Sequence, residues 1–111
     1  MPFTTDQEKL VILLVQEASE IVKEYTKGVL FGFDEIHTDG TTALGRLKVE
    51  FVDLVLIAAR LQTDVTFIPP EEGELLSIAK LQRLLRTYPG LFDEFASNMG
   101  ITRQEGANGS A

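Results

Sequence analysis

The sequence predicts an all-α fold, a bundle of three to four helices that oligomerisation completes. Residues 5–27 contain neither proline nor glycine, and their apolar residues recur at helical spacing. Residues 51–59 form a second, nearly continuous apolar segment. The strand signal is weak, because Val65–Ile68 is short and ends at two prolines. We therefore expect helices around one core, in a single domain over residues 1–101.

The first helix is predicted over residues 5–27. Thr4 or Thr5 can cap its start, because a threonine hydroxyl accepts a hydrogen bond from the free amides of the first turn. Gly28 suits the position that follows the last turn, where a left-handed backbone conformation is common. We therefore expect this helix to end at Lys27.

A structured loop and a second helix are predicted next. Residues 28–40 hold three glycines, which favours a loop. The second helix should run from Thr41 or Thr42 to Leu61, with a threonine cap. Its segment 51–59 is apolar on every side and must be buried. In so short a chain that burial requires another subunit, so we expect a homodimer or a dimer of dimers.

Two further helices are predicted in the last part of the chain. Two prolines followed by three glutamates in residues 69–74 are typical of a helix start, and this helix should run to about Thr87. A proline–glycine pair then breaks it, and residues 91–99 can form a short fourth helix. Residues 102–111 are polar and small, so we predict a disordered tail.

Composition excludes several classes of protein. The net charge of −7 disfavours binding to DNA or RNA, which relies on basic patches. It leaves phosphorylated small molecules open, because bound divalent cations can reverse the local field. The chain has no cysteine, which excludes disulfides and thiolate metal sites. Its N-terminus lacks the features of a signal peptide, and no apolar run approaches the ~20 residues of a membrane span. A soluble, cytoplasmic protein without membrane contact is expected.

Acidic residues at helical spacing are the most informative feature. Asp53 interrupts the most apolar helix, where a carboxylate is costly unless it is paired, hydrogen-bonded or bound to metal. Glu50 lies on the same helix face, and the two repel each other unless a cation lies between them. Glu17 and Glu20 repeat this spacing on the first helix, and Glu24 extends that face. Converging carboxylates favour Mg²⁺ or Mn²⁺ over Zn²⁺. We predict a metal site of Glu17, Glu20, Glu50 and Asp53.

Other interpretations of these residues stay open. The glutamates of the first helix can form a solvated face. Phe31 and Phe33 can stack on a base or pack into the helical core, and His37, the only histidine, is predicted at the surface. Asp53 can instead form a buried salt bridge with one of four nearby cations: Lys23, Lys27, Arg46 or Lys48.

The order of the acidic segments resembles a known signature. Gln16–Glu20 followed by Glu50–Asp53 resembles the ExxE…ExxD pattern of the MazG-like, all-α nucleoside triphosphate pyrophosphohydrolases. The Phe31–Glu35 segment resembles a phage-associated branch of that family, in which a basic residue occupies the position of Leu30. The resemblance covers about residues 10–86.

The resemblance implies a MazG-like helical bundle, an activity and a set of site residues. A nucleoside triphosphate would be cleaved between its α and β phosphates, which releases a monophosphate and pyrophosphate. Mg²⁺ would be bound by the four predicted carboxylates, and Glu17, Glu20 or Glu24 would also orient the attacking water. Substrate contacts would come from Lys27, Phe31, Lys80 and Arg83.

Two alternatives to this activity remain. The chain can be a non-catalytic, oligomeric helical protein that binds nucleotides in a regulatory role. Within the enzyme class, it can act on dUTP or another deoxynucleotide with the same helices.

Overall fold

The computed structural model describes residues 2–103 and confirms the all-α prediction. Within that range the chain forms helices, turns and loops but no β-strand, and none of its helices is long and apolar enough to cross a membrane. The helices divide between two compact units, with the boundary after Phe67. They are α1 (Thr5–Phe31), α2 (Ala43–Gln62), α3 (Pro70–Thr87) and α4 (Asp93–Asn98).

The first unit is an antiparallel pair of helices, α1 and α2, which pack against each other. The loop joins them at one end, and side-chain hydrogen bonds connect them at the other. Thr4 caps α1, and the side chains and amides of Thr4 and Gln7 bond each other reciprocally at 3.2 and 3.0 Å. The Gln7 side-chain amide also donates to Asp64 at 3.0 Å and to Thr66 at 2.7 Å. Because those two residues follow α2, Gln7 connects the start of α1 to the end of α2.

The helix α1 is longer than predicted, because it ends at Phe31 and not at Lys27. The amide of Gly32 donates to the carbonyl of Gly28 at 2.8 Å, and Gly32 has a φ of 97°. Glycine tolerates that conformation, so Gly32 ends the helix. Gly28 has another role: a β-carbon at this position would lie 2.1 Å from the ring of Phe33, which packs on the helix backbone here.

The prediction that the apolar segment 51–59 is buried on every side is not met within one chain. Leu54 and Ile57 are half-buried, but Phe51 is 56% exposed and Val52 is 54% exposed. The reason is that α1 covers only one side of α2. Among the described residues of this unit, the fully buried hydrophobic side chains are Ala43 and Leu61 alone.

The second unit contains α3 and α4. As predicted, α3 begins at the second proline with two glutamates in its first turn, but α4 covers fewer residues than the predicted 91–99. Tyr88 and Phe92 place their ring centroids 6.4 Å apart between the two helices. The core of this unit consists of Leu81, Leu85 and Ala96, with Phe92 and Ile101 packed against it.

The predicted disordered tail, residues 102–111, begins inside the described part of the chain. The carbonyl of Thr102 accepts a hydrogen bond from the Gln82 side chain at 2.7 Å. The Arg103 guanidinium donates to the carbonyl of Leu85 at 2.8 Å. The first two tail residues are therefore held by α3, and the rest of the predicted tail lies outside the described residues.

Candidate metal centre

Three of the four predicted ligands come together between α1 and α2. Glu17 projects from α1, while Glu50 and Asp53 project from one face of α2, three residues apart. Each offers a carboxylate oxygen, and these oxygens all lie within 4.8 Å of one another. All three residues are half-buried. The arrangement places three acidic groups where their charges are only partly screened by water.

The surroundings of Glu50 favour its protonated form. The pKa of Glu50 is raised above its ordinary value, first because its carboxyl shares a hydrogen bond with Glu17 when one of the two is protonated. Partial burial and the charges of Glu17, Asp53 and Glu24 raise it further. A proton or a cation is therefore favoured among these oxygens.

The donor set suits a hard divalent cation. The Oε2 atom of Glu17 is buried and has no hydrogen-bond partner. Asp53 makes no ion pair with any of the four cations considered from the sequence, as far as the described residues show. Oxygen ligands of this kind, with room for water, are what Mg²⁺ and Mn²⁺ prefer.

The other two glutamates of α1 lie outside the group of three. Glu20 is half-buried, and its carboxylate is not among the oxygens that converge with Glu50 and Asp53. Glu24 lies two turns after Glu17 on the same side of α1 and is only 5% exposed. Its charge reaches Glu50, so it belongs to the surroundings of the group.

The loop aromatic residues have different surroundings. Phe33 is half-buried on α1, with its ring centroid 5.9 Å from that of Tyr25, so it packs onto the helix. Phe31 is 64% exposed. His37 is not the surface residue that we expected: it is half-buried, and its Nε2 atom is buried without a hydrogen-bond partner.

The predicted phosphate contacts lie in two parts of the chain. Lys27 is on α1, with its Nζ atom 3.6 Å from the Glu24 carboxylate. Lys80 and Arg83 are exposed on α3, in the second unit, three residues apart on one helix face. Their role in substrate binding stays a prediction.

Arg46 is a residue whose position the sequence did not reveal. The sequence allows it as a partner of Asp53, but its guanidinium lies 3.9 Å from Glu24 and forms an ion pair with Asp39. The Asp39-Gly40-Thr41 sequence signals a tight turn. The contact between that turn, Arg46 and α1 depends on how the helices pack, which no local pattern indicates.

Comparisons with known proteins leave the family undetermined. No family model matches the chain, and the searches of curated proteins and of solved structures also give no match. The likeness to MazG-like enzymes therefore rests on the two acidic segments and the loop between them.

Proposed function

We propose that the chain is a Mg²⁺-dependent nucleoside triphosphate pyrophosphohydrolase of the MazG-like type, located in the cytoplasm. The observation that carries the proposal is the convergence of Glu17, Glu50 and Asp53 from two helices within 4.8 Å. Their order along the chain agrees with the ExxE…ExxD pattern. An acidic protein with net charge −7 can act on an anionic nucleotide when metal ions neutralise the phosphates.

The residues around the centre suit the tasks of such a reaction. Bound Mg²⁺ supplies charge neutralisation at the phosphates and a more acidic water. Glu24, with one buried oxygen lacking a partner, and Glu20 are the candidates for orienting the attacking water. Lys27 keeps a third of its side chain exposed beside Glu24 and can contact a phosphate. The exposed ring of Phe31 can stack on the base, whereas Phe33 is occupied by packing.

The proposal is tested by incubating the protein with Mg²⁺ and a panel of nucleoside triphosphates that includes dUTP. We expect equimolar monophosphate and pyrophosphate from at least one substrate. Glu50→Gln and Asp53→Asn should lose most of this activity, whereas Glu74→Gln, the same substitution at an exposed residue of α3, should keep it. Metal-dependent nucleotide binding without any product would favour the regulatory alternative.

We also propose that a second copy of the chain packs against the hairpin of α1 and α2. Exposed apolar side chains recur on both helices at spacings of three, four and seven residues, which is typical of helix–helix packing. This apolar face consists of Val15, Val22, Tyr25 and Val29 of α1 and Leu44, Phe51, Val52 and Val55 of α2.

The size of the apolar face supports a copy of the chain as its partner. A groove of about 660 Å³ runs along it, with Tyr25 and Phe51 in its lining. Each of the eight residues is 36–65% exposed, so together they leave apolar surface for a partner to cover. A standard interface buries about 800 Å² per partner. A self-complementary face of this kind suits a symmetric dimer. Pairing two hairpins would give a four-helix core, which one hairpin cannot form.

The dimer is tested by cross-linking, because the chain has no cysteine of its own. Val22→Cys should give a covalent dimer with a short bismaleimide. Gln16→Cys, an exposed residue on another side of α1, should give far less. Sedimentation of the unmodified protein should show a dimer, and Phe51→Glu should shift it towards monomer. A monomeric wild-type protein at micromolar concentration would rule the dimer out.

A further inference from the structure

Glu24 is a buried carboxylate whose position depends on two cations. Its Oε1 atom lies 3.6 Å from Nζ of Lys27 and 3.9 Å from Nη1 of Arg46. Its Oε2 atom is buried without a hydrogen-bond partner. Because a buried carboxylate is costly without a compensating charge, these two contacts stabilise Glu24 in its buried position.

The two cations differ in what they connect. Lys27 lies one turn from Glu24 on the same helix, so their contact is local. Arg46 comes from the first turn of α2 and crosses to α1. Its Nε atom donates to the Thr41 hydroxyl at 2.7 Å, and its Nη2 atom forms an ion pair and hydrogen bond with Asp39. One planar guanidinium therefore joins α2, the loop and Glu24.

Hydrogen bonds within the loop hold the residues that contact Arg46. Asp39 accepts hydrogen bonds from the amide and the hydroxyl of Thr41 at 3.0 and 2.6 Å. These bonds, followed in effect by the nearby Arg46 charge, lower the pKa of Asp39 to about 2. The amide of His37 donates to the Thr41 carbonyl at 2.8 Å, and the amide of Gly40 donates to the His37 carbonyl at 2.9 Å. The partner of Arg46 in the loop is therefore an ionised Asp39 that hydrogen bonds within the loop hold in place.

We propose that Arg46 is a positioning residue for the metal centre, which holds the Glu24 carboxylate beside the group of Glu17, Glu50 and Asp53. The inference rests on the proposed metal centre. Glu24 lies on the same side of α1 as Glu17, and its charge acts on Glu50. Partners that orient the groups around a metal commonly change its affinity 10–100-fold when they are removed.

A positioning role and a simple charge effect predict opposite results. Arg46 is a cation near an acidic centre, so its charge alone weakens the attraction of a metal ion. If charge were its only effect, Arg46→Gln would bind metal more tightly and Arg46→Lys would bind it equally. If Arg46 positions Glu24, both variants bind metal more weakly, because the single ammonium group of lysine cannot contact the loop and Glu24 at the same time.

The experiment measures Mn²⁺ affinity from the fraction of free ion in electron paramagnetic resonance spectra. We expect about tenfold weaker binding in Arg46→Gln. Thr41→Val, which removes the hydroxyl partner of Arg46 without any change of charge, should lose affinity in the same direction. Lys27→Met is the matched control, because it removes the other cation that contacts the Oε1 atom of Glu24. Circular dichroism checks that each variant folds, and Thr41→Val carries the test if Arg46→Gln does not.

The outcomes separate this inference from the proposed function. Wild-type protein that binds no Mn²⁺, or Glu50→Gln that binds it as tightly as wild type, would remove the metal centre and the inference with it. Loss of binding in Glu50→Gln together with unchanged or tighter binding in Arg46→Lys and Thr41→Val would overturn the inference alone. Weaker binding of Mn²⁺ in both Arg46→Lys and Thr41→Val would support the inference.

Discussion

At the scale of single residues, three acidic side chains of the hairpin lie close together and half-buried: Glu17, Glu50 and Asp53. Each offers a carboxylate oxygen that lies within 4.8 Å of those of the other two. The pKa of Glu50 is raised, first by the hydrogen bond that its carboxyl shares with Glu17 when one of the two is protonated, then by partial burial and by the charges of its acidic neighbours. Such groups cluster at functional sites, where charge is held ready for a ligand.

The stability of the metal-free protein should therefore depend on pH through Glu50. Its folded pKa lies above the ordinary value of 4.5, so the folded state binds the proton more tightly than the unfolded chain does. The free energy of unfolding should consequently fall as the pH rises from about 4.5 through the raised pKa. Thermal unfolding across this range should show the decrease in wild type and a smaller one in Glu50→Gln.

Two other carboxylates have a separate pH window. The pKa values of Asp39 and Asp64 are lowered to about 2, mainly by hydrogen bonds from Thr41 and from Thr66. Their contribution to stability is present above the ordinary pKa and is lost as the pH falls towards about 2. A decrease in the free energy of unfolding above pH 4.5 therefore comes from groups whose pKa is raised, not from these two. An equal dependence on pH in wild type and in Glu50→Gln would contradict its assignment to Glu50.

At the scale of elements, polar side chains fix the two ends of the helical hairpin. Gln7 joins the start of α1 to the residues after α2, and Arg46 joins the start of α2 to α1 near the loop. The ends are held by hydrogen bonds and charge because few hydrophobic side chains of this unit are fully buried. This arrangement sets the register in which Glu17 faces Glu50 and Asp53.

Gln7→Ala should destabilise the protein by about 1–3 kcal/mol, because it removes the buried side-chain amide whose hydrogen bonds join the start of α1 to the residues after α2. Gln7 is 4% exposed and contacts Thr4, Asp64 and Thr66. Denaturant unfolding measures the change. The control is Gln16→Ala on the exposed surface of the same helix, expected to stay within about 0.5 kcal/mol. Equal effects of the two substitutions would contradict the connection by Gln7.

Gly28→Ala should also destabilise the protein, by about 1–3 kcal/mol, because the methyl group would displace the ring of Phe33. Alanine otherwise favours a helix by about 1 kcal/mol over glycine. In a Phe33→Ala background the same substitution should therefore become neutral or stabilising. A double-mutant cycle by denaturant unfolding tests this, and additive effects would show that Phe33 does not pack on Gly28.

At the scale of the molecule, the hairpin carries different chemistry on different sides. The carboxylates project from one side of α1 and α2, while the apolar face defined above lies on another. A second copy on the apolar face would leave the acidic group free for a nucleotide. Because that copy would cover apolar side chains that one chain leaves exposed, the proposed dimer predicts a melting temperature that rises with protein concentration. Calorimetric scans over a hundredfold dilution check this, and a constant melting temperature would contradict it.

The sequence predicts the positions of the helices well and the contacts between their side chains less well. Caps and breakers such as Thr42 and Pro70 are local signals, so the starts of α2 and α3 lie where expected. The predicted end of α1 at Lys27 was wrong, because Gly28 and Gly32 could each end the helix. Only the packing of Phe33 shows that Gly28 lies in its interior. Tertiary contacts also decide that Arg46 pairs with Glu24 and that Glu20 lies outside the acidic group.

The central claim is that Glu17, Glu50 and Asp53 bind one divalent cation together. Calorimetric titration of Mg²⁺ into the protein at neutral pH tests it most directly. We predict saturable binding to wild type and to Glu74→Gln, and more than about tenfold weaker binding to Glu17→Gln, Glu50→Gln and Asp53→Asn. Absence of binding to wild type, or equal affinity in all five proteins, would contradict the claim.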